Sequence, residues 1–292
     1  MTTSTTTSTR ALHSAVVRRR RATRTVGNTV LGWGLAVLFV VPFLWMLSSS
    51  LKRNIDVFTL PIRWIPDPVH WANYADVWIG EKSMITYYGN SLIVTLTGVV
   101  GDLTTSAMAG YAFARLRFRG RDKIFLLYLA TAIIPSQLLL VPRFMFFQQL
   151  GLYDTLWALI LPGMFTVYGT FLLRQAFVTA PEALGEAARI DGANEWQVFW
   201  RVYLPLVRPM LAALAIISFV SSWNDYETPL VMLTNPENFT IPLGLTTFAD
   251  AEGGISAGIA MAAAVSALIP VATAFVIFQR QFMEALAHSG IK

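Results

Sequence analysis

Four stretches of this chain, 25–51, 124–142, 155–173 and 255–279, run on without a single charged side chain. A hydrocarbon core of about 30 Å is crossed by about 20 apolar helical residues. In lipid the backbone must satisfy its own polar groups, which leaves helices or a closed barrel. Two further stretches carry few charges: between Lys82 and Arg115 stands only Asp102, and Pro209 to Leu233 meets Asp225 and Glu227 near its far end. Six helical spans follow, and the predicted fold class is an all-α integral membrane protein. The composition agrees, with 55% hydrophobic and 13% charged residues, about half the charged share of a soluble domain. There is no cysteine, so disulfide frameworks and thiolate metal sites are excluded; His13, His70 and His288 stand too far apart to suggest a metal cluster.

The cations give the orientation. An even number of spans puts both termini on one side. That side receives 17 of the 22 Lys and Arg residues: those before span one, those from Arg115 to Lys123, Arg174 to Arg208, and the two at the C-terminus. The other side keeps Lys52, Arg53, Arg63, Lys82 and Arg143. By the positive-inside rule both termini are cytoplasmic. The net charge of +5 is then a topological signal, and a nucleic-acid partner loses its support. Residues 1–27 are rich in Thr, Ser and Arg and contain no acid, which predicts a disordered basic cytoplasmic tail. The membrane domain then covers 28–292. From Lys52 to about Tyr87, Pro61, Pro66 and Pro68 alternate with Trp64, Trp71, Tyr74 and Trp78, an external loop with its aromatics at headgroup level.

The cytoplasmic loop between spans four and five, 181–205, is the most informative. Pro181 suits a helix start, and Glu182 and Glu186 favour the N-terminal end of the dipole. Gly192 is a stop, and Asn194 with Gln197 resembles a capping box for a second helix ending near Pro205. The expected unit is a helix-turn-helix too short to span. On residues alone, its first helix either rests on headgroups or docks on a protein, since small side chains permit close approach.

Glu186-Ala187-Ala188, then Asp191-Gly192-Ala193, then Leu204-Pro205 resemble the EAA motif of bacterial ABC importer membrane subunits. Pro42-Phe43-Leu44-Trp45, Asn90-Ser91-Leu92, Tyr111 to Arg115, Gly151-Leu152 and Trp223 to Tyr226 are similar to the maltose/trehalose-type sugar permeases of the second-subunit kind. The resemblance covers roughly 35–292. It implies a permease subunit of an ATP-driven sugar importer in the bacterial cytoplasmic membrane, with the EAA segment as the helix that couples to the ATPase. It also implies the partners: a homologous second permease subunit, two copies of a cytoplasmic ABC ATPase, and an external sugar-binding protein. Gly185 departs from the pattern, standing where an acid usually precedes the motif glutamate, so one charge contact with the ATPase is expected to be missing. Ala285 and Ser289 likewise replace glycines of the family's tail. None of the four lysines follows a glycine, so the chain lacks the phosphate-cradling Gly-Lys-Ser/Thr of a Walker A loop. ATP and Mg would be bound by the partner subunits; this chain needs no cofactor and is not an enzyme.

Asp102 in span two should face the bundle interior or a water-filled path, because a charge facing lipid is costly. Three readings stand open for it: a helix–helix hydrogen bond, a partner for a cation on the companion subunit, or contact with substrate. Trp223, Asn224, Asp225, Tyr226 and Glu227 offer carboxylates and amides for hydroxyls and aromatic faces for a sugar ring, or else simply end a helix. Span-internal cations are absent from this reading, so a neutral saccharide is expected. The alternative of a self-contained secondary transporter would call for internal repeats and broken helices around a midplane site.

Overall fold

The computed structural model describes the backbone of residues 6–80, 84–249 and 256–288, and side chains over 28–80, 84–248 and 256–277 together with Gln279. Among the described residues the regular structure is helical throughout. Helix α1, Thr6–Ser50, begins inside the segment 1–27 for which the sequence predicts a tail without structure. That stretch holds no Pro, and its only Gly is Gly27; Arg and Ala are good helix formers, so the helix of the apolar span can run on N-terminally. Its membrane part, Asn28–Ser50, buries none of its most apolar window within the chain, and such a surface requires lipid or a partner subunit.

After the proline- and aromatic-rich loop and a short helix α2, Ala72–Ile79, comes α3, Met84–Arg115. At 32 residues it is about 48 Å long and forms the spine of the bundle. Its buried positions include Ser91, Thr95, Gly98, Asp102, Ser106 and Gly110, a helical row spaced by three or four in which most side chains are small. Such a row lets other helix backbones approach closely. At Gly110 an added Cβ would lie 2.9 Å from the backbone nitrogen of Arg174.

Span three is not the single helix that the sequence suggests. Helix α4, Arg121–Ala130, and helix α5, Leu140–Gln149, are separated by two 3-10 turns. The segments Arg121–Ile133 and Ser136–Gln149 meet at 91°. Pro135 explains the break. It offers no N–H and forces its predecessor out of the helical region, and Ile134 indeed has ψ 117.

Helices α6, Trp157–Gly163, and α7, Val167–Thr179, form one span of 23 residues. The segment 181–206 follows with α8, Glu182–Ile190, the short turn α9, Glu195–Gln197, a π-helical stretch Val198–Tyr203, and α10, Leu204–Leu206. Then α11, Arg208–Trp223, crosses the bundle. The predicted fifth span ends early: Asn224 leaves the helix, and α12, Glu227–Met232, resumes beyond it. Helices α13, Ile241–Ala249, and α14, Ala257–His288, complete the chain, with α14 against α1, α2, α11 and α13. Among the described residues four helices are long and apolar enough to cross a membrane, and up to six spans result if each of two bent pairs is one span.

Candidate translocation cavity and coupling segment

At the centre of the bundle Asp102 is fully buried. Its Oδ1 accepts hydrogen bonds from Ser106 Oγ at 2.9 Å and Thr166 Oγ1 at 2.6 Å, and its Oδ2 accepts from Ser218 Oγ at 2.5 Å. These donors stand on α3, at the start of α7 and on α11. Thr166 also caps α7, accepting from the Gly169 N–H at 3.0 Å. Gly169 is needed there, since a Cβ would lie 2.9 Å from Asp102 Oδ1. Of the three readings left open by the sequence, the structure shows the hydrogen bonds between helices. Hydroxyl donors stabilise a carboxylate that lipid would penalise.

Beside this knot lies a cavity of about 540 Å³. Asp225, Glu227 and Thr228 line it from the break after α11, and Ser218, Ser221 and Ser222 from α11 itself. Ser136, at the break of span three, and Tyr168 of α7 also reach it. Irregular backbone at membrane depth is tolerated where it lines a cavity, and both broken spans meet that condition. Glu227 accepts from Gln137 Nε2 at 3.2 Å, and Asp225 Oδ1 accepts from the Thr228 N–H at 3.2 Å.

The other predicted pathway residues are elsewhere. Trp223 is only 2% exposed, stacks on Phe219 and donates Nε1–H to the Ala267 carbonyl at 3.3 Å, so it is core. Asn224 is exposed and turns back to the Val220 carbonyl at 2.8 Å. Tyr226 is partly exposed but lines no part of the cavity. Neither Asp102 nor these three reach its wall. The aromatic ring that does is Tyr168.

In the segment 181–206 the turn chemistry follows the sequence closely. Gly192 has φ 85, Ala193 N–H donates to the Ala188 carbonyl at 2.9 Å, and Gly192 N–H to that of Arg189 at 3.1 Å. This paired pattern closes a helix around a left-handed residue and accounts for the run Asp191-Gly192-Ala193. Asn194 and Gln197 form the capping box, both bonds at 2.9 Å. The second helix then widens into π geometry and passes Leu204 and Pro205 before bending by 77° into α11.

Packing at Gly185 and Ala188 and a polar link through Arg189 hold α8 to the rest of the chain. Gly185 is buried against Tyr203, whose hydroxyl would lie 2.5 Å from a Cβ there. The glycine is therefore a packing residue, and an acid at 185 would enter the core, not face a partner. Arg189 donates from Nε to Glu195 Oε1 at 2.6 Å, and Tyr111 of α3 donates to Glu195 Oε2 at 2.9 Å. Beneath them Arg115 lies over the Tyr203 ring and donates to the carbonyls of Phe177 and Ala180. The outer surface of the segment carries Glu186 and Ala187 together with Leu184, Ile190, Trp196 and Trp200, all exposed.

The family model of the binding-protein-dependent transport system inner membrane component matches residues 103–287, more than half of the chain and all of the segment just described. The chain belongs to this family. A related inner membrane component, the arabinooligosaccharides transport system permease protein AraQ of Halalkalibacterium halodurans, is 34% identical, with 91% of this chain and 98% of that protein covered. The diacetylchitobiose uptake system permease protein NgcG of Streptomyces coelicolor is 33% identical over 88% of this chain and 85% of its own. Among solved structures, a bacterial ABC transporter involved in the import of the acidic polysaccharide alginate superposes with a TM-score of 0.81 at 25% identity, covering 91% of this chain and 98% of that one. Membership makes the chain a multi-pass protein of the cytoplasmic membrane. Sequence reasoning for this inner membrane component missed Arg143, Ser136 and Tyr168 as cavity residues. Their signal is the proline before each break, Pro135 and Pro162.

Proposed function

We propose that this chain is the permease subunit of an ATP-driven importer of saccharides, forming half of the translocation path. ATP hydrolysis belongs to a separate subunit. The observation that carries the reading is end-to-end kinship with carbohydrate permeases, 98% of AraQ being covered. The cavity supports it, because its serines, carboxylates and one tyrosine suit hydroxylated substrates. The secondary-transporter alternative has the broken helices in its favour, but a self-contained transporter would not belong to a binding-protein-dependent family.

In this reading both termini are cytoplasmic and α8 sits in a cleft of the ATPase, with Glu186, Ala187, Ala188, Asp191, Gly192, Ala193, Leu204 and Pro205 as the coupling residues. A second, homologous permease completes the path, two ATPase copies act from the cytoplasm, and a binding protein delivers the sugar outside. ATP binding closes the ATPases and drags α8. The displacement passes through Arg189, Glu195 and Tyr111 into α3, and from α3 through the Asp102 knot to α7 and α11. The bundle then moves between two packed arrangements. The test is the purified complex with its binding protein, assayed for stimulation of ATPase activity by arabino- and galacto-oligosaccharides, peptides and divalent metals. Stimulation by saccharides is expected; stimulation only by peptides or metals overturns the substrate class.

A further inference from the structure

We infer that Arg143 is a substrate-contacting, specificity-determining residue of this subunit. It donates to the oxygens of a neutral saccharide while Asp225 and Glu227 accept from the same substrate's hydroxyls. The inference rests on the proposed reading of the cavity as part of the path. Arg143 stands in α5 just after Pro142, half-buried, with its side chain on the cavity wall. Among the described residues it forms no hydrogen bond and no ion pair; the three ion pairs lie elsewhere. A guanidinium has five donors in a fixed fork and stays charged, and leaving it half-desolvated without a partner is costly. An unpaired arginine facing an open cavity is therefore a donor held in reserve.

The rest of the wall selects the ligand. Asp225 and Glu227 share the cavity with Arg143 but form no ion pair with it. Each carboxylate already accepts one bond from the chain and keeps acceptor capacity. One cation and two anions give the wall no surplus of positive charge, so a free anion gains little net attraction there. A sugar hydroxyl both donates and accepts, and so do the flanking Ser218 and Ser221. Only a wall that offers donors and acceptors together leaves neither half of a hydroxyl unpaired.

The experiment uses the full complex in lipid vesicles with its binding protein, comparing wild type, Arg143→Gln, Arg143→Lys and an external control, Arg63→Gln. Uptake is measured with arabino-oligosaccharides, galacto-oligosaccharides and diacetylchitobiose as neutral probes, and with sn-glycerol 3-phosphate and alginate oligosaccharides as anionic ones. For whichever neutral probe the wild type carries, Arg143→Gln is expected to raise KM at least about tenfold, the loss of a charged hydrogen bond. Arg143→Lys should restore part of this, and Arg63→Gln should match wild type. An unchanged KM for the neutral probe, or a loss confined to the anionic probes, overturns the inference. So does dissociation of the two permeases in Arg143→Gln, which would make Arg143 an interface residue. A wild type that carries no saccharide instead refutes the proposed function itself.

Discussion

At the scale of single residues, three side chains carry predictions that depend on their immediate contacts. Gly185 faces Tyr203, which is completely buried. Gly185→Ala must displace that ring or shift α8, and overpacking of this kind costs about 1–3 kcal/mol. A lower melting temperature for the purified protein checks it, and Gly185→Glu should be worse despite restoring the acid usual in the family. Asp102→Leu keeps the volume but strands the hydroxyls of Ser106, Thr166 and Ser218. The expected loss is at least about 2 kcal/mol, read from the same melting curve. Asp154 pins the turn between α5 and α6 to the stretch after α12. Its Oδ1 accepts from the N–H groups of Thr234 at 2.9 Å and Asn235 at 3.0 Å. Burial alone would raise its pKa, but those N–H bonds and the Asn238 amide outweigh it and hold the carboxyl below its ordinary 3.8. A depressed folded value contributes stability above the unfolded pKa and loses it as pH falls through the folded one. The melting-temperature gap between wild type and Asp154→Ala should therefore be constant near neutrality and close as pH drops below 3.8.

At the scale of elements, α8 is the part whose substitution should separate folding from coupling. Glu186 is exposed and Gly192 has φ 85. Glu186→Lys should leave membrane levels intact while ATPase association and uptake fall. Gly192→Val forces a β-branched residue into the left-handed region, at a cost of about 1–2 kcal/mol, and should act likewise. Normal transport by both variants with the ATPase bound would refute the coupling role. Glu195→Ala should leave assembly intact but make ATP hydrolysis less dependent on substrate, because α8 loses its tie to α3. These elements also show what was legible in the sequence. The turn at 191–197 could be read residue by residue because Gly192, Asn194 and Gln197 act on their own neighbours. Gly185, Glu195 and Arg143 could not, because their partners Tyr203 and Tyr111 and the cavity wall are brought to them only by tertiary packing. Trp223 misled for the same reason: an aromatic beside carboxylates has the composition of a sugar site, but the helix turns its ring inward onto Phe219.

At the scale of the molecule, the spans can be counted by accessibility. Labels at Thr5 and in the Arg117–Arg121 loop should react only from the cytoplasm, and labels near Asp67 or Asn235 only from outside. A label at Asn235 that reacts from the cytoplasm would overturn the six-span arrangement. The knot at Asp102 has a further consequence, one of time. Its donors Thr166 and Ser218 lie 64 and 116 residues further along the chain. At about 5–20 residues per second of synthesis, the last of them arrives about 6–23 s after the carboxyl itself. Until the first of them, Thr166, is made, only Ser106, four residues on in the same helix, can serve it. The spine of the bundle thus enters the membrane with its charge almost unattended, and the order of translation leaves α3 dependent on the insertion machinery until α11 is made.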